Sequence, residues 1–219
     1  MNGYYRDLKD YLTVLKEKGM LYEINRPVKK ETELTAISRL QYRGMPENER
    51  KGFLFNNVTD AKGKKFEIPV ATGIYASSLG MYALGVKADA SRESITEKWE
   101  KAQLHPVKTT MVEKGEVQYK VIKGAELDKE GSGLDLLPIP AELPGFSGQI
   151  RTSTQIITRD PDTGIRNVGN YSAHLFGKRK MMWEINRGNQ GIIHWRHNSS
   201  NKFPLFINSP PIDKLWKFL

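Results

Sequence analysis

The sequence predicts an α+β chain: a mixed α/β layer over residues 1–105, followed over 106–219 by a mostly antiparallel sheet or barrel. Three observations predict it. Before residue 105, apolar residues recur at helical spacing in several stretches and alternate with short strand-like runs. After it come short β-rich runs separated by turn signals, Glu113-Lys114-Gly115-Glu116 and Asp160-Pro161-Asp162-Thr163-Gly164 among them. Between these lies a Pro-rich stretch, Leu137 to Gly145, that reads as an extended connector.

The elements follow in order. Tyr4, Leu8, Tyr11, Leu12 and Leu15 share one helical face over residues 4–18, and Gly19 stops the helix. Leu21, Tyr22 and Ile24 read as a short strand ended by Pro27, and Leu34, Ile37 and Leu40 mark a second amphipathic helix over 32–42. Residues 53–58 and 67–72 read as buried strands about a Gly/Lys/Asp turn. Residues 75–85 suggest a closely packing helix of small residues, and Ser94 with Glu97 has capping-box spacing ahead of a helix containing Trp99. Beyond 105 the strand candidates are 107–112, 117–122, 150–158, 166–176, 180–186 and 204–208, with no helix longer than about one turn. There is no internal repeat and no low-complexity segment.

Composition bounds the function. The 219 residues are 38% hydrophobic and 10% aromatic, enough for a sizeable core and against a wholly disordered chain. No apolar run is long enough to span a membrane, and the polar start MNGYYRDLKDYL lacks a secretory core, so a cytoplasmic protein without a membrane partner is expected. Zero cysteines exclude disulfides, thiolate metal sites and a cysteine nucleophile. With 34 Lys+Arg against 25 Asp+Glu, the net charge of +9 points to an anionic partner: a phosphate, a carboxylate or nucleic acid. Nucleic acid is the least favoured, because the basic residues are spread along the chain without a reading motif.

The histidines are His105, His174, His194 and His197. His194-x-x-His197 has a spacing that suits two metal ligands, or two unremarkable half-buried rings. Lys178-Arg179-Lys180 reads as a solvated hairpin tip or as a phosphate clamp. Neither a P-loop nor a GxGxxG fingerprint occurs. The segment Asn167-Val168-Gly169-Asn170-Tyr171-Ser172 concentrates amides and hydroxyls in a strand, where Asn is disfavoured. It reads as a polar hairpin edge or as a polar row lining a ligand cavity, where an Asn oxygen can hold a hard cation.

Several segments together resemble one family. They are Asp7-Leu8 through Ile37; Phe53-Leu54-Phe55-Asn56-Asn57-Val58; Asp135-Leu136-Leu137-Pro138-Ile139-Pro140; and Thr158 to Gly164 followed by Asn167-Val168-Gly169 and Tyr171. Their order and spacing over residues 7 to about 210 resemble the N-terminal portion of UbiD-like decarboxylases. The resemblance implies an N-terminal α/β layer (1–105) and a flavin-binding split β-barrel, here partial (106–219). It also implies prenylated FMN, Mn2+ or Mg2+, often K+, and an aromatic or α,β-unsaturated acid as the small-molecule partner. Asn167 occupies the position of a metal ligand. His197 is the better match for a second ligand, and His194 is the fallback. Asn170, Tyr171 and Ser172 correspond to cofactor contacts, as does, more loosely, the pair Arg187-Gly188.

Two departures shape the expectation. Ser172 stands where the family usually has Arg, which belongs to a proton-transfer network with two glutamates; serine carries neither that charge nor its bidentate pairing. Family members also run well past the length of this chain, through the third metal ligand and both network glutamates. The chain is therefore expected to be a truncated form or to work with another chain, as a homo-oligomer or beside a partner subunit. It is expected to lack acid–base residues of its own; a non-catalytic flavin- or nucleotide-binding module is the alternative.

Overall fold

The computed structural model describes residues 5, 7–76, 78–87, 89–108, 110–115, 118, 121–141, 151–175, 177–184 and 188–200. The first helix, α1 (Leu8–Glu17), starts where the Asp7 carboxylate accepts the Asp10 N–H at 2.9 Å. It buries Leu8, Tyr11, Leu12 and Leu15, the face foreseen from spacing. Gly19, at φ 66°, ends it by donating to the Lys16 carbonyl at 2.9 Å. Strands β1 (Leu21–Ile24) and β2 (Val28–Lys29) follow, then α2 (Leu34–Leu40), β3 (Gly52–Phe55), β4 (Val58–Thr59) and β5 (Val70–Thr72). β1 runs parallel to β3, and β3 antiparallel to β5, in the order β1-β3-β5; β2 pairs in parallel with β4. Parallel pairing needs a crossover, and α2 lies within it.

Two apolar clusters hold this layer. One joins the buried face of α1 to Ile74 and to Leu79 of α3 (Ser78–Ala83). The Tyr11 hydroxyl lies 2.6 Å from the Ile74 carbonyl and 2.8 Å from that of Leu79, so the buried phenol is not left unsatisfied. The other contains Val28, Leu34, Phe53, Phe55, Val58 and Phe66. Helix α4 (Arg92–Leu104) is capped by Ser91, which accepts from Ser94 N–H; the cap sits three residues before the Ser94–Glu97 pair that the spacing suggested.

The second half departs further from expectation. Residues 107, 108 and 110–112 form no strand, and Val107, Met111 and Val112 stay exposed for want of a ladder partner. Residues 118, 121 and 122 are likewise outside any strand, and the 204–208 candidate lies outside the described residues. The connector runs without regular structure from Leu137 to Ala141. It is tied to the first half where Ala141 N–H donates to the Lys30 carbonyl at 3.0 Å and the Thr35 hydroxyl donates to the Ala141 carbonyl at 2.7 Å.

Then come β6 (Arg151–Arg159), β7 (Arg166–Leu175) and β8 (Met181–Glu184), antiparallel neighbours in the order β6-β7-β8. Among the described residues this sheet is open, so the architecture on view is mixed α/β. Helix α5 (Gln190–Ser200) was not expected. Its buried positions, Gly191 and His194, are a glycine and a histidine, while Ile193 and Trp195 are exposed, so it shows no apolar helical stripe. No helix among the described residues is long and apolar enough to cross a membrane.

Candidate cofactor-binding site

The site is built on the β6–β7 hairpin. Asp160 opens its loop: the Oδ1 atom accepts the N–H groups of Asp162 and Thr163, both at 2.9 Å, and its own N–H donates to the Ile165 carbonyl at 2.9 Å. The Thr163 N–H is the main cause holding the Asp160 carboxyl below its ordinary range; desolvation opposes it, and the Asp162 N–H and nearby His197 add to it. The loop fixes the register from Arg159 opposite Arg166 to Arg151 opposite His174, and so sets Thr158 directly across from Asn167.

Strand alternation then divides the polar row of β7. Residues 167, 169, 171 and 173 share the face that carries buried Tyr171 and Ala173; Asn170, Ser172 and His174 share the opposite one. The Tyr171 ring folds back over its own strand. A Cβ on Gly169 would lie 2.4 Å from the ring, and one on Gly191 of α5 would lie 2.4 Å from the phenol oxygen. Both positions need glycine for space. The Tyr171 hydroxyl accepts the Gly191 N–H at 3.1 Å and the Asn167 Nδ2–H at 3.3 Å.

From there the network reaches His194. Asn167 Nδ2 also donates to Thr158 Oγ1 at 3.4 Å, and that oxygen lies 2.9 Å from Nδ1 of His194. Thr158 and His194 are both 1% exposed, which makes this a buried polar cluster joining hairpin to helix. His194 Nε2 lies 3.2 Å from the Gln190 side-chain nitrogen and 3.9 Å from Asp160 Oδ2. His197 lies elsewhere on α5, with Nδ1 3.7 Å from Asp160 Oδ2 and 3.6 Å from Asp162 Oδ2. Of the two histidines, His194 is therefore the one that shares a partner with Asn167, while His197 faces the loop carboxylates.

The other expected residues are placed as follows. Gly188 lies in the turn before α5, with open space where a Cβ would stand; Arg187 is outside the described residues. Asn170 is exposed and Ser172 half-buried, in register with Glu184 of β8. His105 is exposed at the end of α4. The basic turn has a structural use. Lys178 Nζ donates to the Asp128 and Lys129 carbonyls at 3.1 and 3.0 Å, and Arg179 forks onto the Asp128 carboxylate and the Gly124 carbonyl. The turn thus pins the segment leading into the connector.

The sequence reading gave no role to Thr158, Gln190 or Gly191. Counting outward from the loop would have found Thr158, because a tight hairpin makes it the cross-strand partner of Asn167. Nothing local marks Gln190 or Gly191, which reach the site only through α5.

Among the described residues, the Asp160 and Asp162 carboxylates and a His197 ring nitrogen lie within 4.8 Å of one another, close enough to hold one cation, while Asn167 and His194 offer an amide oxygen and an imidazole nearby. Asn167 bonds to Thr158 and Tyr171 through its amide nitrogen; the His194 ring turns Nδ1 to Thr158 and Nε2 to the Gln190 side chain. Oxygen and imidazole donors of this kind suit manganese or magnesium.

The sequence matches the 3-octaprenyl-4-hydroxybenzoate carboxy-lyase N-terminal domain over residues 12–99 and the Rift-related domain of that carboxy-lyase over residues 108–209. It is 32% identical over 206 residues to an uncharacterized protein of Aquifex aeolicus, covering 84% of this chain and 40% of that protein. It is 30% identical over 207 residues to one of Synechocystis sp., covering 87% of this chain and 37% of that protein. The chain thus spans about two fifths of the length of these curated relatives. The UbiD-class enzyme HmfF from Pelotomaculum thermopropionicum, solved in complex with FMN, superposes with a TM-score of 0.72 at 24% identity, over 91% of this chain and 41% of that one. The closed form of vanillic acid decarboxylase from Sedimentibacter hydroxybenzoicus gives 0.75 at 18% identity, over 92% and 41%. At those identities the likeness is one of fold, and the family rests on the sequence matches: the chain belongs to the UbiD-like decarboxylase family, whose N-terminal portion it matches.

Proposed function

We propose that this chain is the cofactor-binding portion of a cytoplasmic UbiD-class enzyme that decarboxylates, or in reverse carboxylates, aromatic or α,β-unsaturated acids with prenylated FMN. The observation that carries the reading is the meeting of Asn167 and His194 on one buried hydroxyl beneath the β6–β7 hairpin. HmfF structures holding FMN and prenylated FMN, and the vanillic acid decarboxylase structures, support the cofactor and the substrate class. In this reading residues 1–105 form the α/β layer, and the sheet of 106–219 is part of a split barrel.

When bound, prenylated FMN supplies the electron sink for loss of carbon dioxide. The chain's own part is to hold and orient. Asn167 and a histidine of α5, His197 or His194, would hold Mn2+ or Mg2+, with K+ as a further cation. Tyr171, locked between Gly169 and Gly191, keeps Asn167 in place. Asn170, Ser172, Arg187 and Gly188 contact the cofactor. Ser172 has a hydroxyl where a guanidinium would pair with carboxylates, so the chain on its own does not move the proton that replaces carbon dioxide. Turnover needs further chain or a partner subunit, and the working form is an oligomer. Ser172 equally favours a second reading, a flavin-binding module without chemistry.

The test is flavin binding. The chain with Mn2+ should quench FMN fluorescence, and Asn167→Ala should weaken this by about 10-fold or more. No flavin affinity with manganese present overturns the proposal. Release of carbon dioxide from a panel of aromatic acids separates the two readings: turnover by a longer form carrying Ser172→Arg supports the enzyme, and its absence supports the module.

A further inference from the structure

We infer that Asn167 and Gln190 are coupled positioning residues: through Thr158 and His194, whichever of the two turns its carbonyl oxygen out of the cluster, the other turns its amide nitrogen out. The inference deepens the reading above at one point, the orientation of Asn167, and its test needs neither cation nor flavin. Four side chains stand in a row that joins β7, β6 and α5. Asn167 Nδ2 lies 3.4 Å from Thr158 Oγ1, Thr158 Oγ1 lies 2.9 Å from His194 Nδ1, and His194 Nε2 lies 3.2 Å from Gln190 Nε2. The two middle members are each 1% exposed, so a proton there that lacks an acceptor has no water to turn to.

The coupling follows from counting protons. The row has three links, and each is a hydrogen bond only if one proton lies in it. The Thr158 hydroxyl supplies one and a neutral His194 ring supplies one, so the two amides together must supply the third. With both amide nitrogens turned inward there is one proton too many, and two donors meet at one link. With both oxygens inward there is one too few, and two lone pairs meet. A half-turn about the last side-chain bond exchanges an amide's oxygen and nitrogen in place, so either end can meet the demand. Two arrangements satisfy every link. In the first, Asn167 donates to Thr158, Thr158 donates to Nδ1, and the proton on Nε2 goes to the Gln190 oxygen. In the second, Gln190 donates to Nε2, Nδ1–H donates to Thr158, and Thr158 donates to the Asn167 oxygen. The ring tautomer reports which one holds. If the Asn167 oxygen faces a cation, as read above, the first holds, and Gln190 offers its amide N–H groups outward as donors suited to an anion such as a phosphate. Both ring nitrogens of His194 are spent within the row in either arrangement, so of the two α5 histidines the cation reading keeps His197.

The experiment makes one end of the row an obligate acceptor. Asn167→Asp and Gln190→Glu keep the side-chain shape and replace the amide nitrogen by an oxygen. Long-range proton–nitrogen spectra of the His194 ring are recorded on the chain at alkaline pH, assigned by the signal lost in His194→Gln, with folding checked by circular dichroism. Asn167→Asp should give the Nδ1–H tautomer and Gln190→Glu the Nε2–H tautomer, the tautomer ratio differing between them by about 10-fold or more, the size of one hydrogen bond. Thr158→Val removes the middle link: in that background, adding Asn167→Asp should leave the ring unchanged, while adding Gln190→Glu should still move it. Thr158→Ser keeps the hydroxyl and should keep both responses. The same tautomer in Asn167→Asp and Gln190→Glu overturns the inference, and so does a response to Asn167→Asp that survives Thr158→Val. The wild-type ring tests the reading of Asn167 separately: Nε2–H supports an outward Asn167 oxygen, and Nδ1–H removes Asn167 from the cation site, while the coupling is judged on the variants alone.

Discussion

Replacing Gly169 by alanine tests the packing beneath the site. The new Cβ would stand 2.4 Å from both Cζ and the hydroxyl oxygen of Tyr171 and 2.5 Å from Cε2. Carbon atoms in contact prefer about 3.5–4.0 Å, so the ring must retreat by about 1 Å or more. It has little room: Tyr171 is 5% exposed, and Gly191 of α5 stands on the phenol oxygen. Overpacking of this kind costs about 1–3 kcal/mol. Pushing the ring away also breaks the bond from Gly191 N–H and strands a buried donor, for about 1 kcal/mol more. A total near 2–4 kcal/mol lowers Tm by roughly 5–15 °C in a chain of this size. Calorimetry gives the shift, with Gly188→Ala, where a Cβ meets open space, as the control expected to be neutral. A Gly169→Ala protein within about 1 kcal/mol of wild type, with the Tyr171 ring resonances unmoved, would refute the reasoning.

Two further outcomes are expected. Tyr11→Phe removes the hydroxyl shared by the Ile74 and Leu79 carbonyls, so it should cost about 1–3 kcal/mol in thermal unfolding without touching the β6–β7 hairpin. Asp160 is an acid whose folded pKa is lowered, so its stabilisation is full above the ordinary aspartate pKa and disappears as pH falls through the lowered value. A Tm profile taken downward from neutral pH should show this acid loss in wild type, and Asp160→Asn should flatten that limb.

The elements with local signals were legible in the chain's residues. Helix α1 follows from Leu8, Tyr11, Leu12 and Leu15 on one face and from Gly19 at its end. The β6–β7 hairpin follows from the DPDTG loop, whose aspartate accepts backbone N–H groups within three residues. The order and spacing of the quoted segments also carried the family. Tertiary structure decided what depends on distant partners. The apolar runs at 107–108 and 110–112 met no ladder and stayed out of the sheet, because a strand exists only with a neighbour to bond. Helix α5 was illegible because its buried face is Gly191 and His194, chosen by the Tyr171 phenol and the Thr158 hydroxyl rather than by an apolar core. The same contacts separate His194 from His197. Three residues apart on one helix, they look alike in sequence, yet one is buried against Thr158 and the other stands at the loop carboxylates. Side-chain burial and hydrogen-bond partners of that kind are set across 36 residues of chain, and no local pattern encodes them.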